Sequence, residues 1–504
     1  MKHFAILLSF LLASLCSRAQ IVYSDYSDPD ICVGTDGDYW MTASSFQCTP
    51  GLPILHSTDL VNWRLINYAL PRLVPDDHYS LAQHGNGVWA PSIRLHQGTY
   101  YIYWGDPDYG VFMVKTTDPA GKWEEPVLVM PGKGVIDTCP LWDEDGKAYL
   151  VNGWANSRCG FNSVLTVRQL SPDGTHVIGN PVMVYDGLEN GDYTIEGPKF
   201  YKKNGYYYIL APAGGVETGW QVALRSKNPF GPYEQKIVYN KDGIHQGGWI
   251  VPGEHENDGK QGEKGSFICF QERGAYGRIL HLLDVEMKDG WPMMKEHKGV
   301  KNNHNLIYDS RLLQYQWHAN YQDAFGFPIA SGKMRINSHL TDGKFTNMWD
   351  VPNLFLKKFD GETFTDTLSF TIRATAEGQQ SGFIIMGRDY VRYSVNLQGD
   401  AFTLNRCECK DAEKGKQEQT TILAQGITSQ RIPLGIKTVY GCRVSFIIRC
   451  AKGGLCTVLY SIDGGKYQQA GAPFQAREGK WIGAKYGAFS VNTKSGTSRG
   501  WCEF

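Results

Sequence analysis

An excess of charge of either sign is missing from this chain. The 504 residues carry 50 Lys and Arg against 51 Asp and Glu, a net charge of −1, with no basic stripe and no acidic tail. A nucleic-acid partner is therefore not expected, and neutral partners are favoured. Beyond the first residues no stretch is long and apolar enough to cross a bilayer, so no membrane span is expected. Helical periodicity of any length is absent from both halves, which excludes bundle and α/β architectures. Paired CxxC motifs at zinc spacing are absent too, which argues against a zinc site. Eleven cysteines lie beyond Cys16, so at least one thiol stays unpaired; Cys450 with Cys456 is a candidate local pair, while spacing leaves the wider connectivity open.

What is present begins with Lys2, an apolar run from Phe4 to Leu15, and Ser17-Arg18-Ala19 ahead of Gln20. Residues 1–19 read as a cleavable secretory signal, with export to the periplasm or beyond as the expectation; bulky Leu15 ahead of Cys16 disfavours a lipoprotein. Length alone calls for two domains in the rest of the chain.

Five similar runs organise the first part: GDYWMTASS from Gly37, GTYYIYWGD from Gly98, GKAYLVNGW from Gly146, GYYYILAPA from Gly205 and GSFICFQ from Gly265, at intervals of 61, 48, 59 and 60 residues. Asp36, Gln97, Asp145 and Asn204 precede the first four glycines, and Asp-Gly or Asn-Gly between β-prone runs signals a hairpin. A strand-turn-strand unit repeated at this period predicts an all-β, five-bladed β-propeller over 20–305. The polar surplus GEHENDGKQGEK inside the fifth repeat reads as a solvated loop, and VKNNHN at 300–305 as a linker. From 306 to 504 short alternating strands continue without the repeat, predicting an antiparallel β-sandwich.

Asp28, Trp89, Asp137 and Glu196 each stand nine positions ahead of their glycine. In a propeller the innermost strands run parallel around a channel, so equivalent positions meet at one mouth. Three acids gathered there repel one another and drive their pKa values apart. One carboxyl can then protonate a glycosidic oxygen while another activates water from the opposite face. Glu196, between Ile195 and Gly197-Pro198, is the candidate acid, Asp28 the base, and Asp137 the group that tunes and orients Glu196. Asp30, on the same strand face as Asp28, is a rival base, and Asp25 a weaker one. Asp143, Glu144 and Asp145, beside a turn, are expected in solvent, and Trp89 is either core packing or a platform for a sugar ring.

The segments SDPDI, GVWAPSI, IDTCPLWDEDG, TIEGPKFYKKNGYYYILAPAGG, RSKNPFGPYE and HQGG, with GAYGRILHL and DGWPM, resemble family 43 glycoside hydrolases, inverting propeller enzymes of hemicellulose breakdown. QYQWHAN and NMWDVPNLFLKKF resemble the concanavalin-like C-terminal sandwich of the β-xylosidase and α-L-arabinofuranosidase members. The resemblance implies the same base, modulator and acid at Asp28, Asp137 and Glu196, and glycone contacts at Phe46, Trp89, Ala90 and Arg278. It further implies a calcium ion in the central channel beside His245, and arabinose- or xylose-containing oligosaccharides as partners. Asp30 stands where many members have Ser, and Ile244 where Pro precedes HQGG. The alternatives are an endo-acting arabinanase and a non-catalytic carbohydrate-binding propeller.

Overall fold

The computed structural model describes residues 20–252, 264–300, 306–341, 343–434, 437–494 and 500–504. The expected signal (1–19), most of the polar surplus and all but the first residue of the expected linker lie outside the described residues.

The five repeats fold into five antiparallel sheets, each running outward from an innermost strand: Asp30–Val33, Trp89–His96, Val135–Trp142, Lys199–Lys203 and Ile244–Ile250. From the fifth blade through the first to the fourth, these strands pack against one another around a common axis; Tyr206–Ala213 against Ile244–Ile250 completes the ring. The aromatic runs form the second strand of each blade, and in Tyr206–Ala213 every side chain after Tyr206 is buried. Such a strand is covered by neighbouring blades on both faces, which is why its sequence is continuously apolar instead of alternating. Ile31, Met41 and Trp63 of the first blade, for example, share a core with Ile250, Ile268 and Leu282 of the fifth.

The chain ends lock the ring. Gln20–Val22 pairs with Arg278–Lys288, so the fifth blade takes a strand from the opposite end of the propeller sequence. Leu306–Tyr308 adds a parallel fifth strand to the first blade alongside Trp63–Leu70, just beyond the expected 305/306 boundary.

The remainder forms two sheets of eight and nine strands among the described residues, antiparallel except that His339–Leu340 lies parallel to Lys485–Asn492. Their core includes Phe370, Phe383, Phe446 and Phe504, together with Tyr23, Ala275 and Tyr276 from the propeller. The Tyr276 hydroxyl donates to the Glu362 carbonyl at 2.8 Å and accepts from the Gly454 N–H at 2.9 Å. Backbone bonds also join Thr49 to Trp317, at 3.1 and 2.6 Å. Burying shared apolar surface makes the sandwich a fixed wall of the propeller. All eleven cysteines after residue 19 are free thiols, and Cys450 faces Cys456 across neighbouring strands.

Candidate active site

The innermost strands do not reach the mouth of the channel as regular ladders. Pairing with the second strand slips between Trp89 and Ser92, between Ile136 and Cys139, and between His245 and Gly247. At the slip the backbone turns left-handed, with φ of 31° at Ala90, 57° at Asp137 and 55° at Gln246; Asp28 (51°) and Gly197 (57°) take the same place in the other two blades. A bulge of this kind re-aims a side chain, and holding a non-glycine residue there costs about 1–3 kcal/mol. Three slips and five left-handed residues, four of them not glycine, therefore mark the mouth of the channel as the place where the fold stores strain.

The nine-residue register needs a correction here. Asp28 and Asp137 are themselves the left-handed residue of their blades, whereas Trp89 and Glu196 stand one residue before it. The reason is turn length: Val33 pairs with Tyr39 and Trp142 with Ala148 across five-residue turns, but His96 pairs with Thr99 and Lys203 with Tyr206 across two-residue turns. Equal counts thus conceal a one-place offset.

Asp28, Asp137 and Glu196 nevertheless line one recess of about 110 Å³, together with Phe46, Trp89, Ile136, Val216, Gln246, Arg278 and Trp481. Asp28 is held from both oxygens: Arg278 Nη1 donates to Oδ1 at 2.8 Å and Ser44 Oγ to Oδ2 at 2.6 Å. The Gly197 N–H donates to Asp137 Oδ2 at 2.8 Å, which ties the residue next to Glu196 to the neighbouring blade. Burial, then the charges of Asp137 and Asp28, push the Glu196 carboxyl well above the glutamate range. Burial and Asp28 also push Asp137 up, opposed by the Gly197 N–H, Lys199 and Arg278. Of the pair, Glu196 receives no such hydrogen bond, so the shared proton belongs there.

Lys199, which sequence reasoning missed, explains the balance. Fully buried in the channel wall, its ammonium donates to the Pro91 carbonyl at 2.7 Å, Ser92 Oγ at 2.8 Å and the Ala90 carbonyl at 3.3 Å. Both buried cations, Lys199 and Arg278, draw Asp137 down, whereas only Arg278 does so for Glu196, so the third acid is the one that keeps a proton. The rival bases have other partners. Asp30 receives Arg94 Nη1 at 2.6 Å and the Ile93 N–H at 2.9 Å. Asp25 accepts from the Arg278 N–H and from the Gly483 N–H of the sandwich, each at 2.9 Å.

Through Asp25 the sandwich reaches the recess. Two residues before Gly483, Trp481 stands with φ 65°, its ring 5.8 Å from the Arg278 guanidinium. No repeat announces this residue, because it comes from the other domain. Trp89 is half-buried with its indole N–H on the Gly85 carbonyl at 2.8 Å, so its ring lines the recess instead of filling a core. Ala90 contributes backbone only: its N–H donates to Ser44 Oγ at 2.8 Å. One expectation is overturned outright. Asp143 is buried, accepting from Lys202 and the Tyr207 hydroxyl, because the next blade covers this turn; Glu144 and Asp145 are exposed.

His245 lies beside the recess while its neighbour Gln246 lines it. Burial lowers the imidazole to about 4, so the ring is neutral, with Nε2 3.1 Å from the carbonyls of Gly215 and Val216 and Nδ1 without a protein partner. Calcium favours six to eight oxygens. One imidazole nitrogen is not a cage, so an ion here would keep most of its water. Among the described residues, the one group of three His and acidic side chains close enough to share an ion is Asp36 and Asp38, in the first blade's turn, with His56 on the strand Gly51–Ser57.

A propeller that raises the pKa of one carboxyl with two others, in a recess lined by aromatic rings, defines a carbohydrate-cleaving enzyme of the two-carboxylate class. Residues 18–292 match the model of glycosyl hydrolases family 43, and 309–504 match the β-xylosidase C-terminal concanavalin A-like domain. A putative β-xylosidase of Xylanibacter ruminicola is 30% identical over 493 residues, 92% of this chain and 85% of that one. A non-reducing end α-L-arabinofuranosidase of Bacteroides ovatus is 37% identical over 234 residues, 45% of this chain and 42% of its own. The crystal structure of a xylan β-1,4-xylosidase from Bacillus halodurans superposes with a TM-score of 0.77 at 18% identity, covering 97% of this chain and 98% of that one, which shows the shared fold. The chain belongs to glycoside hydrolase family 43.

Proposed function

We propose that this chain is an exo-acting, inverting hydrolase that releases terminal α-L-arabinofuranose or β-D-xylose from hemicellulose oligosaccharides. The observation that carries the reading is the convergence of Asp28, Asp137 and Glu196 on one recess lined by the rings of Phe46, Trp89 and Trp481. Water held by Asp28 loses a proton to that carboxylate as it attacks the anomeric carbon, and Glu196 donates its proton to the departing glycosidic oxygen. Asp137 keeps Glu196 protonated through its charge and holds the Gly197 N–H. Phe46 and Trp89 offer ring faces to the sugar, and Arg278 keeps Asp28 in place. Trp481 at the recess favours a pocket over the open groove that an endo-acting enzyme needs. The relatives named as a β-xylosidase and an α-L-arabinofuranosidase support both sugars. Export through cleavage after Ala19, and a hydrated calcium ion beside His245, belong to the same reading.

The test is a parallel assay on 4-nitrophenyl α-L-arabinofuranoside and β-D-xylopyranoside, with and without chelator, following the anomer released by proton NMR. Hydrolysis of at least one with inversion is expected. Silence on both, or retention, overturns the reading, and indifference to chelator removes the ion from it.

The pH profile rests on the same groups. Activity requires protonated Glu196, whose carboxyl is raised to about 8, so kcat/KM should hold through neutrality and fall about tenfold per pH unit beyond that value. An alkaline limb in the ordinary carboxylate range of roughly 4–5 would contradict the assignment.

A further inference from the structure

Two large rings stand exposed on the loops that flank Glu196, outside the recess lining: Phe161 at 44% and Tyr193 at 51% of their surface. Their loops touch, since the Thr194 N–H donates to Ser163 Oγ at 2.8 Å. Each ring is backed by an indole, Phe161 tilted on Trp154 at 5.1 Å and Tyr193 edge-on to Trp220 at 5.5 Å. Trp154 comes directly after Gly153, where an added Cβ would lie 3.6 Å from the Glu196 Cα, and Tyr193 is three residues upstream of Glu196. The Tyr193 loop is held from beneath. Buried Asp192 accepts from the Tyr185 hydroxyl at 2.5 Å, Trp220 Nε1 at 2.9 Å and Gln235 Nε2 at 2.9 Å.

Rigid, supported aromatic faces in water mark a binding surface. Reaction chemistry says which part of a ligand passes there. The acid delivers its proton to the oxygen joining the released sugar to the rest of the glycan, so that remainder lies on the acid's side. Trp481 stands beside Arg278, the partner of the base. We propose that Phe161 and Tyr193 form a stacking platform for the leaving portion of a neutral pentose chain, several sugars long. The inference rests on the proposed hydrolase reading and adds a second binding region to it.

The test compares kcat/KM for a linear pentose pentasaccharide with that for the matching 4-nitrophenyl glycoside. The double variant Phe161→Ser/Tyr193→Ser should lose about tenfold on the pentasaccharide through KM and less than about twofold on the small glycoside. Phe161→Tyr/Tyr193→Phe should restore the ratio. Equal losses on both substrates would mean that the rings only support Glu196, and no loss on either would mean that the glycan does not touch them. A change of oligomeric state by sedimentation would assign the patch to a second copy of the chain. Each of these three results overturns the platform. Failure of the hydrolase reading is distinguishable, because the wild-type protein would then cleave neither substrate.

Discussion

Replacing Glu196 by alanine is expected to cut kcat on unactivated oligosaccharides by about 10³–10⁴-fold, within the range that general acid–base catalysis supplies, and to cost far less on 4-nitrophenyl glycosides. The difference comes from what the acid does. A sugar alkoxide cannot depart without a proton, whereas nitrophenolate can. The size of the gap therefore measures proton donation, separately from any damage to sugar binding, and equal losses on both substrates would remove Glu196 from the acid role. A stability readout accompanies it. Because the folded-state pKa lies above that of the unfolded chain, the native protein binds this proton more tightly. That contribution is complete below the unfolded carboxylate range and is lost as pH rises towards about 8. Glu196→Gln keeps the shape and cannot ionise, so its melting temperature should gain on wild type between pH 5 and pH 9. A variant that loses turnover yet gains alkaline stability is expected where like charges are confined for function.

Much of this arrangement was legible because a propeller repeats its own coordinates. Gly37, Gly98, Gly146 and Gly205 each come after a turn and open a β-prone run, so counting back from them reached the mouth of the channel. The count succeeded for Asp28 and Asp137, which share turn length and left-handed position, and reached Trp89 and Glu196 one place early because their turns are shorter. Resemblance to family motifs supplied Arg278, which no periodicity indicates. Lys199 was within reach, since it lies two residues past the left-handed residue in the same place as Asp30 and Ser92. What hid it was the habit of assigning lysine to solvent, which the Gly-Pro ahead of it does not contradict. Asp143 was misplaced for the converse reason: hairpin turns are normally wet, and only the packed propeller brings Lys202 and Tyr207 over this one. Trp481 was out of reach. Its place depends on the docking of a second domain through Asp25 and Gly483, a contact across 458 residues.

Asp28→Ala should abolish turnover on every glycoside alike, by about 10³-fold or more, because no leaving group relieves the need for an activated water. The rival at Asp30 gives this prediction its edge. Asp30 also faces into the channel, two residues away, and a carboxylate there could in principle take over. Its own bonds prevent this: one oxygen holds Arg94 and the Ile93 N–H, in the tier beneath the recess where Lys199 and Ser92 close the wall. Asp30→Asn should therefore behave in the opposite manner. It leaves the largely buried Arg94 without its partner charge, at a cost of about 3–5 kcal/mol, so the melting temperature falls while the folded fraction keeps its kcat. In Asp28→Ala the Arg278 guanidinium keeps Glu272 at 3.5 Å, so the fold should tolerate the change better than turnover does. Kinetics on activated and unactivated substrates, with thermal melts of both variants, separate the two aspartates. Full activity in Asp28→Ala together with silence in Asp30→Asn would move the base one tier down the channel and dismantle the charge balance that places the proton on Glu196.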